Sequence, residues 1–536
     1  MSVKNKKSAI YLPIVFSLLL VAGILIGLNL RNGAVNERVF IHPRSNNKLI
    51  NVINYIHEEY VDSVSKNKLV ENTIPKILED LDPHSVYIPA KRLKRVNEPL
   101  EGNFEGIGIQ FNMTNDTVVV ISTISGGPSE KVGIQPGDRI IKVEDSLVAG
   151  QDIPNTGIVK LLKGPKGTKV NVSIKRKNVE ELMEFEITRD EIPLYSVDVA
   201  YKVSDSIGYI KISKFARTTY DEFMEALNKL KGKGISDLII DLRGNGGGYM
   251  DAATKIANEF LHDDQLIVYT EGKSSPRKNF YADESANWQE KDLVILIDEW
   301  SASASEILAG AIQDNDRGTI IGRRSFGKGL VQQQTVFPDG SALRLTVARY
   351  YTPTGRCIQK PYENGKENYF NDLNERYRNG EFEERDSIKF ADSLKYSTPE
   401  GDIVYGGGGI MPDIFVPMDT TGNTAYYQKV TNKGLVYKFA FEYADSHRPE
   451  LNKYKDPGAM QEYLESINIL NQFASFARKN GIKEPITTDP DSRKLLSTQI
   501  KAYIARNIID NEGFYPIIRE IDETLQKGIG FIQEKS

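Results

Sequence analysis

Two side chains in glycine-rich or serine-rich surroundings stand out as groups that could do chemistry, Ser303 and Lys328. Ser303 lies in Ser301-Ala302-Ser303-Ala304-Ser305-Glu306. A continuous apolar run of strand length, Leu293 to Ile297, comes just before it, and apolar positions at helical spacing follow: Ile307, Leu308, Ala311 and Ile312. Asp314-Asn315-Asp316-Arg317-Gly318 then ends the helix. The spacing therefore predicts a serine where a strand hands over to a helix N-terminus. Unpaired N–H groups and the positive end of the helix dipole can stabilise an oxyanion there. The ordinary structural reading of the same residues is a capping box, Ser303 with Glu306.

Lys328 lies between Gly327 and Gly329, behind Phe326 and beyond a short predicted strand, Thr319 to Gly322. The glycines allow close backbone approach and the phenyl ring keeps water away. An amine kept from water loses its charge more easily, and a neutral lysine can take a proton from a serine hydroxyl. A lysine in a surface turn is the competing reading, and for Lys328 taken alone it is the better one.

Together, the strand, Ser-Ala-Ser-Ala-Ser-Glu-Ile, the helix and Phe-Gly-Lys-Gly resemble the carboxyl-terminal processing peptidases, also called tail-specific proteases, which are Ser-Lys serine endopeptidases. The resemblance implies that Ser303 is the nucleophile, Lys328 the general base and Gln332 the residue that orients the lysine. Asp314 matches an acidic position also implicated in that family, though its place at a helix end suits a structural role better. Asp241-Leu242-Arg243-Gly244-Asn245-Gly246-Gly247-Gly248 resembles the family's oxyanion loop. An amide of Gly247 or Gly248 would join the Ala304 N–H there, and the sequence does not choose between the two glycines. This run is not G-x-G-x-x-G, and no P-loop lysine follows it. Leu81-Asp82-Pro83-His84-Ser85, Tyr351-Thr352-Pro353-Thr354-Gly355 and residues 406–413 also match, so the resemblance covers most of residues 47–417. His84, in a proline-containing turn, reads as structural. No metal, ATP or other cofactor is implied.

The elements that must position these residues follow from the rest of the chain. Residues 101–189 form a compact β-rich module with Gly-Ile-Gln-Pro-Gly-Asp and Lys-Gly-Pro-Lys-Gly-Thr turns, and it looks like a PDZ domain. Such domains bind peptide C-termini by strand addition. The resemblance assigns the peptide contact to the run Gly106, Ile107, Gly108 and Ile109, whose amides would hold the terminal carboxylate. Residues 190–418 alternate buried strands with amphipathic helices, as in an α/β layer, with an insertion at about 362–395. Residues 47–100 are a helical segment with apolar stripes, and residues 419–536 are helical without a chemical motif. For the latter, dimerisation and substrate docking stay open beside plain packing, which is the default. The expected fold is α+β and multidomain: an α/β serine-peptidase core, an inserted PDZ domain, an N-terminal membrane-spanning helix and a helical C-terminal extension.

That membrane helix is read from residues 8–30, an uncharged run of 23 residues behind Lys4, Lys6 and Lys7. A cleaved signal peptide competes, but no A-x-A-like site is present. Residues 1–31 are therefore expected to be a basic cytoplasmic tip and single-pass anchor, with the remainder outside the cytoplasm, in the periplasm if the source is Gram-negative. The net charge of −5 gives no reason to expect a nucleic-acid partner. A single cysteine, Cys357, excludes an intrachain disulfide and a Cys-rich metal site.

Two function classes follow. One is a membrane-anchored endopeptidase acting on polypeptides with exposed C-termini, with a homo-oligomer left open. The other is a PDZ adaptor whose protease-like domain is inactive, and the joint presence of serine, lysine, glutamine and oxyanion loop argues against it. A histidine-dependent protease is set aside, because His42, His57, His84, His262 and His447 lack a nucleophile-loop context.

Overall fold

The computed structural model describes Ser17 and residues 19–23, 47–177, 179–289, 291–388 and 391–535. Of the expected membrane span, residues 8–30, only Ser17 and residues 19–23 are among these, and the rest lies outside the described residues. Among the described residues no helix is long and apolar enough to cross a membrane. The chain divides into two compact units, residues 1–76 and 77–536. The first holds the helix Lys48–Glu59, whose N-terminus is capped by the Asn47 side chain accepting from Leu49 N at 3.0 Å.

The second unit is organised around a six-stranded sheet in the order Val197–Lys202, Ile207–Ile212, Asp237–Asp241, Leu293–Ile297, Thr319–Gly322 and Ile414–Phe415. The first pair is antiparallel and every later pair parallel. Its central strands are apolar almost throughout because both faces are covered. On one face, Ile210, Leu238, Ile240 and Ile295 pack under the helices Thr219–Lys231, Met250–Asn258 and Ala304–Asp314. On the other, Tyr209, Ile239, Val294 and Leu296 meet Leu525 and Ile532 of the helix Glu523–Lys535. Burial of those last two side chains contributes about 2 kcal/mol each. Gly528 faces the sheet, its Cβ position 3.4 and 3.5 Å from the side chains of Leu296 and Ile239.

The C-terminal region therefore splits. Helices from Ala425–Asn432 to Pro490–Ile518 form the expected helical extension, with a core of their own around Phe439, Leu464, Phe473 and Ile504. The last helix leaves that extension and completes the peptidase core.

A second sheet carries the long strand Ala342–Tyr351. It is flanked on one side by Leu330–Val336 along its length and on the other by Val86–Ile88 and Leu266–Gly272, all antiparallel. The β-rich module is an insertion whose entering and leaving strands, Asn103–Gly106 and Asp190–Pro193, pair with each other as a neck. Its sheet runs Ile109–Thr114, Thr117–Thr123, Arg139–Val143, Lys169–Lys175 and Met183–Thr188. Arg139 reaches the helical extension through Asp445 at 2.6 Å.

Candidate active site

The serine run sorts its three hydroxyls by backbone geometry. Ser301 Oγ donates to Leu242 O at 2.9 Å and Ser305 Oγ to Asn245 O at 2.9 Å, so the two outer serines are buried and clamp the glycine loop. Ser303, between them, is left facing a cavity with φ 57° and ψ −111°. A non-glycine residue holds such angles only when its surroundings over-determine them. Asp298 contributes here, with Oδ1 accepting from Gly244 N, Trp300 N and Ser301 N at 2.9 to 3.1 Å.

The glycine loop touches Ser303 directly. A Cβ on Gly247 would lie 2.6 Å from Ala302 O and 2.8 Å from Ser303 Cβ, and φ there is +94°. The Gly247 N–H donates to Asn245 Oδ1 at 2.9 Å. Gly247 lets the two loops meet. The N–H groups of Gly248 and Ala304 have no acceptor among the described residues, and both residues line the cavity with Ser303. Ala304 is also the first residue of its helix, where the dipole favours negative charge.

Lys328 lines the same cavity, which has a volume of about 590 Å³. Its Nζ donates to Gln332 Oε1 at 3.3 Å rather than to Ser303 Oγ, and Gln332 Nε2 donates in turn to His84 O at 2.5 Å. Burial lowers the Lys328 pKa below the ordinary lysine value, and the Arg344 charge lowers it further against Glu306 and Asp82. The amine is thus poised to be neutral more readily than a lysine in water.

Glu306 joins the two loops. Fully buried, it accepts from Ser303 N at 2.8 Å, Ser325 Oγ at 2.5 Å, Gly327 N at 2.6 Å and Lys328 N at 2.9 Å. Burial raises its pKa in spite of these donors. The capping box seen in the sequence is therefore present, and the same carboxylate also fixes the loop of the lysine.

His84 is held in its neutral form. Burial, followed by the Lys328 charge, pulls its pKa down to about 3, and its Nε2 pairs with the Tyr369 hydroxyl at 2.9 Å. Its carbonyl is the useful atom, since it holds Gln332. Tyr369 comes from the insertion, on the helix Lys366–Arg378, and packs edge-on against Phe326 at 5.7 Å between centroids. Asp314 stands outside the cavity, with Oδ1 accepting from Arg356 Nη2 at 2.5 Å and Oδ2 from Thr354 Oγ1 at 2.6 Å.

Residues 206–365, which contain every residue of this cavity assigned from the sequence, match the profile of peptidase family S41. The chain is 36% identical over 308 residues to the carboxy-terminal-processing protease of Bartonella bacilliformis, covering 57% of this chain and 70% of that protein. The chain belongs to the carboxyl-terminal processing peptidase family. It is likewise 36% identical over 308 residues to the carboxy-terminal processing protease CtpB of Bacillus subtilis, of which it spans 64%. Among solved structures, the photosystem II D1 C-terminal processing protease matches at 25% identity with a TM-score of 0.35, covering 69% of this chain and 92% of that one. The profile of the PDZ domain matches residues 106–187, and one of a family of unknown function matches residues 426–510.

Within the PDZ domain of this family member, Gly106, Ile107 and Gly108 lead from the neck into Ile109–Thr114, a strand with one open sheet edge. Ile107 O accepts from Ser129 N at 3.1 Å and Ser129 Oγ at 2.6 Å, and Gly108 O from Ile124 N at 3.0 Å. The loop carbonyls are thereby turned inward. The Ile107 and Gly108 N–H groups have no acceptor among the described residues.

Sequence reasoning missed the roles of the His84 carbonyl, Tyr369, Arg344 and the second half of Glu306. Only Glu306 carried a signal, its place three residues after Ser303.

Proposed function

We propose that this chain is a membrane-anchored serine endopeptidase that captures polypeptide C-termini through its PDZ domain and cuts peptide bonds with a Ser-Lys dyad. Ser303 Oγ attacks the scissile carbonyl while Lys328 Nζ takes its proton. The N–H groups of Gly248 and Ala304 receive the oxyanion, and loss of one such donor typically costs ~10²–10³ in turnover. Lys328 then returns the proton to the leaving amine, and water hydrolyses the acyl-enzyme by the same route. Gln332, braced by the His84 carbonyl, orients the amine. The loop at Gly106, Ile107, Gly108 and Ile109 holds the terminal carboxylate of the substrate, whose last residues extend the edge of Ile109–Thr114. Lys4, Lys6, Lys7 and the uncharged residues 8–30 support a single-pass anchor with the remainder outside the cytoplasm.

The observation that carries this reading is the gathering of Ser303, Lys328, Gln332, Gly248 and Ala304 around one cavity. The test is cleavage of an unfolded reporter with a free apolar C-terminus by the full chain, by Ser303→Ala and by Lys328→Ala. Each substitution is expected to lower kcat/KM by at least about 10³-fold with reporter binding retained. Binding without cleavage in all three proteins would instead favour the inactive adaptor.

A further inference from the structure

Glu101, Asp251, Lys328 and Arg344 are the charged side chains lining the cavity. Three of them are engaged. Glu101 accepts from Arg217 Nε at 2.9 Å and the Tyr249 hydroxyl at 3.1 Å, Asp251 meets Lys255 at 2.8 Å, and Lys328 is held by Gln332. Arg344 is different. Its Nη2 donates to two neutral oxygens, Gln334 Oε1 at 2.9 Å and Asn97 Oδ1 at 3.3 Å, and it forms no ion pair among the described residues.

Its position is set by the sheet. Arg344 pairs with Gln334 and Thr346 with Gln332, so Arg344 lies two rungs from the residue that holds the lysine. At a rise of about 3.4 Å per residue that is roughly 7 Å along the strand, or two residues of an extended polypeptide. The guanidinium is partly withdrawn from water, which costs free energy unless charge or hydrogen bonds compensate. Its Nε and Nη1 remain without a protein acceptor among the described residues, and a guanidinium presents such donors as a fork that fits a carboxylate.

We propose that Arg344 is a carboxylate subsite of the cavity, taking a Glu or Asp side chain or a free α-carboxylate of the bound polypeptide about two residues from the bond that is cut. This rests on the peptidase reading above. Arg344 is also close enough to Lys328 for its charge to lower the lysine's pKa.

The test uses the full chain and two pairs of fluorogenic peptides of one parent sequence. One pair differs as Glu against Gln two residues from the cut, and the other as free acid against amide at a C-terminus two residues beyond it. For the arm that supplies the true ligand, wild type is expected to favour the acid by about 10- to 100-fold in kcat/KM, mostly through KM. The preference falls to about 1 in Arg344→Gln and partly returns in Arg344→Lys. The arm that responds distinguishes side chain from chain end. The PDZ domain also selects free C-termini, but that selection persists in Arg344→Gln, so only the change on substitution counts. An unchanged acid preference in Arg344→Gln, or none in wild type for either arm, overturns the proposal. Dissociation constants for the same peptides on Ser303→Ala, with and without Arg344→Gln, read the subsite without turnover. A tenfold or greater loss of acid preference there supports it and no change refutes it, whereas absence of cleavage by wild type would count against the peptidase reading alone.

Discussion

The two halves of the cavity are built in opposite ways. The serine half is made mostly by its own stretch of chain: Leu293–Ile297, the turn braced by Asp298 and Ser301, and the helix Ala304–Asp314, pressed against the glycine loop of the neighbouring strand. The lysine half is assembled from distant segments. Gln332 is held by a carbonyl 248 positions earlier, and the ring of Phe326 rests on Tyr369 of the insertion. A group held by its own strand and helix is sensitive to volume at the point of contact. A group held by remote segments is sensitive to anything that moves them.

Gly247→Ala should have the largest effect. The backbone is held at φ +94°, which strains any residue with a Cβ, and the added methyl would overlap Ala302 O and Ser303 Cβ, so kcat/KM for a reporter is expected to drop by about 10³-fold with PDZ-dependent binding retained. Near-normal turnover would mean that the serine half yields, and the contrast between the halves would fail.

Glu306→Gln strikes the point where the halves meet. The amide presents donors to some of the four groups that now donate to the carboxylate, so both loops shift. A loss of about 10² in kcat is expected, since a displacement near 1 Å can cost that much. An unchanged kcat would show that the two loops hold their places without this carboxylate.

The third prediction concerns pH. Lys328 must be neutral to act, so wild-type kcat should rise with pH through a pKa below the ordinary 10.5. Arg344, Glu306 and Asp82 are the charges that bear on it, while His84 stays neutral. In Gln332→Glu a carboxylate beside Nζ favours the ammonium, and the rising limb should move up by about 1 to 3 pH units. At a pH below that limb each unit is tenfold in rate. A limb that stays in place would show that Lys328 is not the titrating base.

Tyr369→Phe should have the smallest effect. It keeps the ring against Phe326 and removes the hydroxyl that meets His84 Nε2 at 2.9 Å and, at a longer 3.4 Å, accepts from Gln359 Nε2, worth about 1 kcal/mol. A fall in kcat of about fivefold, without change in KM, would place the insertion in support of the lysine half. No change would confine that support to the His84 carbonyl.

The same contrast explains what could be read before folding. Strand, turn and helix around Ser303 were legible because a buried apolar run, a capping pair and helical periodicity are properties of consecutive residues. The PDZ domain was legible for the same reason, through glycine and proline turns between alternating strands. His84 was read as structural, and the part its carbonyl plays could not be foreseen, since every residue carries one. Arg344 looked like any basic residue on a strand. The final helix looked like more of the helical extension, because amphipathic periodicity tells which face is buried and not what buries it.

By itself, then, the amino-acid order determined the local pieces: which serine follows the strand, which lysine sits between glycines, and where the inserted module begins. Tertiary structure alone decided which pieces meet. It turned the Gly247 N–H inward and left that of Gly248 open, placed one carboxylate between two loops, and returned the last helix to cover the central sheet. The physical reason is range. Propensities, caps and turns act within a few residues, whereas hydrogen bonds and packing between segments far apart in the chain exist only after the chain has brought them together.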